Sequence, residues 1–338
     1  MNNLEKDNPE QLYNEAVIID ALNVSNWDSP AVFESLQAGR VTAFNATIAT
    51  WENYRETLDN IAAWLHRFEE YSGLVQVKTV EDILQAKKAG KVGVILGSQN
   101  ASPIENDLNR LALFHALGVR IIQLTYNERN LLGSGCWERR DEGLSNFGVD
   151  AVREMNRLGI LIDLSHVGDR TTLEAIDLSE KPVAITHANA RSYFEFQRNK
   201  TDEAIKLLAE RGGVIGATCI TTFLRTQFDS NLEDYVDAID YLVEMAGIDH
   251  VAFGTDYTQD QPESFWNYIM SQQGTKFPAK LLDSSIRYDQ VRLYPKDLET
   301  PDKLPNLAGA LLNRGYQPDD AAKILGGNWL RLFREVWE

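Results

Sequence analysis

Short runs rich in Val, Ile and Leu recur from near the start of the chain to about residue 260, and longer stretches with apolar residues at helical spacing separate them. The runs are Ala16–Asp20, Val41–Ala46, Val92–Gly97, Val119–Thr125, Gly159–Ser165, Pro182–His187, Gly213–Thr218 and Val251–Asp256. Between them the spacing predicts helices over Leu108–Leu117, Phe147–Leu158, Thr171–Leu178, Thr201–Arg211 and Leu232–Ala246. Gly118, Gly159 and Gly247 stand where such helices stop, just before the next strand.

About eight strands alternating with helices predict a parallel sheet, and several of them are apolar throughout, as strands covered on both faces are. That number closes an α/β fold of the (β/α)8 TIM-barrel kind. A doubly wound open sheet alternates in the same way but wants a Gly-rich phosphate turn after an early strand. Neither Asp20-Ala21-Leu22-Asn23 nor Gly97-Ser98-Gln99-Asn100 supplies one. The irregular segment Gln259–Pro305 reads as an insertion over the barrel mouth, and Asn306–Arg314 and Pro318–Trp337 as helices packed outside. With 338 residues, 43% hydrophobic, and no low-complexity tract, the chain reads as a single barrel domain over residues 1–338.

Charge narrows the partners. The formal net charge of -17, with 33 scattered basic residues, opposes binding to a polyanion, so no nucleic acid is expected. Met1 to Glu10 is polar and acidic and no apolar run reaches membrane-spanning length, which points to a cytoplasmic chain with no membrane partner. Two cysteines are too few for a disulfide scaffold and suit a reducing compartment. Cys219 reads as a small packed hydrophobe; Cys136, among Gly133, Gly135 and Trp137, reads as a loop residue.

Chemistry collects at the strand ends: Gln99 after the third run, Tyr126 after the fourth, His166 and His187 at the fifth and sixth, and Asp256 at the eighth. In a barrel those ends share one face, where active sites of this architecture lie. His166 and His187 leave apolar strands directly and read as metal ligands or acid/base groups. Asp256 reads as a third ligand, a proton-transfer group or a helix N-cap. Arg198, in Gln197-Arg198-Asn199-Lys200, is a carboxylate binder or a solvated surface residue. His66, His115 and His250 lie in helical patterns or ahead of a strand and read as surface or packing residues.

The pieces Phe147-Gly148, Glu154-Met155-Asn156-Arg157-Leu158-Gly159, Ile162-Asp163-Leu164-Ser165-His166-Val167, Thr186-His187, Arg198-Asn199, Gly254-Thr255-Asp256 and Asn328-Trp329-Leu330-Arg331 together resemble the membrane (renal) dipeptidase family of binuclear zinc peptidases. The resemblance covers nearly the whole chain. It implies an α/β barrel of the metal-dependent hydrolase type, cleavage of dipeptides, and a homodimer. By position it makes His166 and His187 ligands of one zinc, Arg198 the binder of the substrate carboxylate, and Asp256 the proton-transfer residue.

Three positions depart from that pattern. Leu22-Asn23-Val24 stands where the family has a His-x-Asp metal pair, Gln99 where it has a bridging glutamate, and Tyr126 where it has a substrate-contacting histidine. The first zinc site is therefore expected to be absent. Cys136, in Asn130-Leu131-Leu132-Gly133-Ser134-Gly135-Cys136-Trp137-Glu138, is either a compensating ligand or thiol or a buried loop residue. The expectation is a hydrolase of a dipeptide or small amino-acid derivative using one Zn2+ ion, with Arg198, Tyr126 and Gln99 on the substrate. Two alternatives stand beside it: a catalytically silent barrel that binds an amino-acid-like ligand, and a metal-free acid/base enzyme using His166 and Asp256.

Overall fold

The computed structural model of the chain describes residues 8–271 and 291–338. Its strands are β1 (Ile19–Asn23), β2 (Ala43–Ala49), β3 (Leu74–Gln76), β4 (Val92–Ser98), β5 (Val119–Gln123), β6 (Leu161–Asp163), β7 (Ala184–Ile185), β8 (Val214–Ala217) and β9 (Val251–Phe253). All pair in parallel, and eight run round a nearly closed ring in the order β1-β2-β4-β5-β6-β7-β8-β9. The ring meets itself where Asn23 bridges Tyr257, with Val24 N donating to Tyr257 O at 2.7 Å and Asp256 N to Leu22 O at 3.0 Å. The fold is thus the (β/α)8 barrel that the alternation predicts.

All eight expected strands are present, with shifted ends. Ala16 caps the helix Pro9–Glu15, its N–H on Leu12 O, so the first strand opens at Ile19 rather than Ala16. The sequence pattern missed β3, which borrows one edge of β4 at Val92–Val94 before β5 takes that edge from Leu96 onward. Helix ends follow local chemistry. Ser145 Oγ accepts from Gly148 N to start Asn146–Leu158, and Gly159 stops it at φ 72°.

Alternation along the strands sorts two apolar layers. Ile19, Ala43, Ile95, Ile121, Leu161, Ala184, Val214 and Ala252, one from each barrel strand, cluster inside the ring with Trp329, Leu332, Phe333 and Val336. Their neighbours in sequence, such as Ile18, Phe44, Ile122, Ile162 and Ile215, face the surrounding helices. The terminal helix Asn328–Trp337 was expected to pack outside; instead it seals the barrel floor, since only an apolar helix face there removes this layer from water. Trp329 Nε1 donates to Phe253 O at 2.9 Å, which leaves the opposite rim free for chemistry. Of Gln259–Pro305, residues 272–290 lie outside the described part; the helix Glu263–Ile269 stands over the mouth. Among the described residues, no helix is long and apolar enough to cross a membrane.

Trp329 is fully buried. Trp329→Ala is therefore expected to cost about 3–5 kcal/mol of stability, measured by chemical denaturation. A loss below about 1 kcal/mol would contradict this sealing role.

Candidate active site

Asp163, the last residue of β6, has a carboxylate buried inside the ring. Its Oδ1 accepts from Ser165 N at 3.0 Å, Ser165 Oγ at 2.6 Å and Thr186 N at 2.9 Å, while Oδ2 accepts from Thr186 Oγ1 at 2.7 Å. One carboxylate thus ties the end of β6 to the end of β7. The residues that follow those anchors are His166 and His187, and their Nε2 atoms stand 3.0 Å apart.

The neighbours decide which nitrogen of each ring carries a proton. Thr186 Oγ1 gives its hydrogen to Asp163, so at 2.7 Å from His187 Nδ1 it can only accept. Asn127 Oδ1, an acceptor, lies 2.7 Å from His166 Nδ1. Both rings are therefore protonated on Nδ1, and two Nε2 lone pairs face each other. Burial, then the charge of Arg198, lowers both imidazole pKa values well below the usual range, so both rings are neutral at neutral pH.

Asn127 was not singled out from the sequence. It sits at φ 54° at the start of a loop that folds back over His166, where Cys136 N donates to His166 O at 2.8 Å and Trp137 N to Asn127 O at 2.8 Å. Gly135 permits this, because a Cβ there would collide with the Asn127 backbone. Cys136 is buried, its thiol 3.6 Å from Asn127 Oδ1 and its pKa pushed up to about 11 by burial, so it packs as a loop thiol under Asn127. Cys219 is fully buried, its sulfur donating to Thr255 O at 3.3 Å.

Arg198 is not a surface residue. It is 1% exposed, and Nη1 donates to Ser165 O and Nη2 to His187 O, each at 2.7 Å, so the guanidinium braces both strand ends from below. Its Nε has no partner among the described residues. Lys200 is equally buried, its Nζ donating to Val167 O at 2.6 Å and Thr172 Oγ1 at 3.2 Å; burial, then Arg198, lowers its pKa to about 7.

Above this floor opens a cleft whose wall includes Gln99, Tyr126, His166, Arg198 and Asp256. His187 lies directly behind His166. Tyr126 stacks on the His166 ring with centroids 4.1 Å apart, and Gln99 Nε2 donates to Thr47 Oγ1 at 3.0 Å. Asp256 has a left-handed backbone, φ 60°, with its carbonyl accepting from Tyr294 Oη at 2.9 Å. No helix begins there, so it is not an N-cap; the next helix starts at Glu263. Burial raises its pKa to about 7, Arg198 opposing and Asp20 and Asp163 adding to the rise. Leu22 is buried, Val24 lines the cleft, and among the described residues no group of three or more His, Cys, Asp or Glu is arranged to hold a metal ion. The remaining histidines lie elsewhere: His66 is exposed beside Glu69 and Glu70, His115 is in the helix Asn109–Leu117, and His250 Nδ1 meets Gly213 O at 2.8 Å.

Comparison with known proteins bears on this arrangement. The family model described as Membrane dipeptidase (Peptidase family M19) matches residues 7–273 and 267–338. The chain belongs to the membrane dipeptidase family. An amidohydrolase from Pseudomonas aeruginosa is 37% identical, with 97% of this chain and 99% of that one covered and a TM-score of 0.92. A metallo peptidase from Rhodobacter sphaeroides, liganded with a phosphinate mimic of the dipeptide L-Ala-D-Ala, shares the fold at 20% identity, with a TM-score of 0.78 over 96% of this chain and 100% of that one. Dipeptidase tcpJ of Claviceps purpurea is 27% identical over 286 residues, 83% of this chain. The chain spans 60% of that relative's length.

The hydrogen-bond assignment is open to test. Thr186→Val removes the acceptor of His187 Nδ1–H at nearly constant volume. Imaged by imidazole 15N NMR, the wild-type protein should show both rings as Nδ1–H tautomers, and the variant should lose that preference at His187 alone. An unchanged His187 spectrum would contradict the assignment.

Proposed function

We propose that the chain is a mononuclear metallohydrolase that cleaves an amide bond in a dipeptide or small amino-acid derivative. The facing Nε2 lone pairs of His166 and His187 carry this reading. Two neutral acceptors at 3.0 Å repel each other unless a cation lies between them. These two nitrogens would hold a zinc ion, for which neutral imidazole is an ordinary ligand. The rings are oriented as ligands are in metal sites, through Asn127 on one side and Thr186 and Asp163 on the other. His166 and His187 are thus the two side chains that would hold one ion, and Leu22, Val24 and Gln99 offer no carboxylate or imidazole for a second.

Bound there, zinc would supply Lewis acidity that makes water a nucleophile near neutral pH. The chain's own residues do the rest. Asp256, whose pKa of about 7 suits proton exchange at neutral pH, takes the proton of the attacking water and delivers it to the leaving nitrogen. Arg198 places positive charge at the cleft floor for a substrate carboxylate, while Tyr126 and Gln99 border the bound molecule. Membership of the family and the likeness to the Claviceps dipeptidase support amide cleavage in a dipeptide-like substrate. We read the protein further as a cytoplasmic homodimer, a reading supported by two free, buried cysteines for the compartment and by the family resemblance for the dimer.

A second reading has an observation of its own. The buried Arg198 guanidinium and, near it, the buried Lys200 amine lie close enough to the histidine pair to lower its pKa values, and the described residues bring no third ligand to it. That favours a silent barrel that binds an anionic amino-acid derivative.

Zinc titration followed by calorimetry and metal analysis separates the two. We expect about one zinc per chain, lost in His187→Ala, and amide cleavage abolished by chelation. Asp256→Asn should keep the zinc and lower kcat by about 10²–10⁴. A chain that retains no transition metal overturns the metallohydrolase.

A further inference from the structure

The wall of the cleft above the histidine pair is mostly aromatic and aliphatic. Phe196 and Phe223 border it on one side, Phe265, Ile269 and Met270 hang over it from the helix Glu263–Ile269 and its end, and Val24 lines it where β1 leaves the barrel. Against this, the described lining residues include one cation, Arg198, and one carboxylate, Asp256.

A free dipeptide brings two charges to such a site, an ammonium and a carboxylate. Arg198 answers the carboxylate. The ammonium has Asp256 alone among the described lining carboxylates, and the two demands on that group conflict. A proton carrier must exist in turn as acid and as carboxylate, whereas an ion-paired ammonium would hold it ionised. Aromatic faces attract a cation but offer no strong acceptors for its three N–H groups. The neutral acceptors of the lining, among them Gln99, Thr222 and Thr258, bring no charge to pair with an ammonium, so one held against the apolar wall is penalised and an uncharged apolar group in the same place is favoured.

We infer that the substrate is an amino acid whose nitrogen carries a bulky, uncharged, apolar acyl group, not a dipeptide with a free amino end. This deepens the proposed hydrolase and rests on that reading. The step balances as a hydrolysis: water oxygen joins the acyl carbon and the C–N bond breaks. Its electron pair leaves with the nitrogen, which takes a water proton through Asp256, and the products are a carboxylic acid and a free amino acid.

The matched pair 3-phenylpropanoyl-alanine and phenylalanyl-alanine differs by one α-amino group and tests this directly, with alanine of both hands. Zinc-supplemented full-length protein is assayed for binding by calorimetry and for kcat/KM, with acetyl-alanine as the small-acyl control. The phenylpropanoyl compound should bind at least tenfold tighter than the dipeptide and be cleaved at least tenfold more efficiently. Phe265→Ala should reduce its preference over acetyl-alanine about fivefold. Equal or tighter binding of the dipeptide, or binding of neither compound, overturns the inference. Preferential binding of the phenylpropanoyl compound with no cleavage of any substrate upholds the ligand class and overturns the hydrolase.

Discussion

The candidate site depends on a buried carboxylate that joins two strands. Asp163 is buried, and its carboxylate accepts from two backbone N–H groups and two hydroxyls of Ser165 and Thr186. Those donors are the residues immediately before His166 and His187, so satisfying the carboxylate fixes the exit direction of both imidazoles. The same device recurs at the seam of the barrel. Asp20 on β1 accepts from Thr255 N at 2.8 Å and Thr255 Oγ1 at 2.7 Å, just before Asp256. Burial raises the Asp20 pKa to about 6, the Thr255 bonds working against that rise. Each clamp thus delivers the residue that follows its threonine to the mouth.

Electrostatics then sets the character of the mouth. Arg198 is held by the Ser165 and His187 carbonyls, so its charge lies beneath the histidine pair without consuming a carboxylate. Its field and burial keep both rings neutral, while burial holds Asp256 close to the middle of its titration at neutral pH. Two neutral imidazoles, a fixed cation and a poised acid thus meet at one cleft whose remaining wall is largely apolar.

Much of this was legible along the chain. Eight β-branched runs between helical stretches carry the barrel, because strands buried on both faces must be apolar and parallel connections must be long. The strand-end positions of His166, His187 and Asp256 imply one shared face for the same reason. β3 was not legible: three residues, Leu74–Gln76, paired on one edge leave too short a pattern to separate from a loop. Nor was the floor, since the amphipathic terminal helix looks alike whether it packs outside the ring or across its end.

What the sequence determined by itself is periodicity and the chemical types that leave each strand, both local properties of the chain. Tertiary structure decided the proton positions on the two imidazoles, the burial of Arg198 that a polar stretch disguised, and the placing of Asn127 over His166. These depend on contacts between residues such as Asn127 and His166 that are remote in the chain. A hydrogen bond or a desolvated charge exists only once the surrounding groups have converged, and no local pattern encodes that convergence.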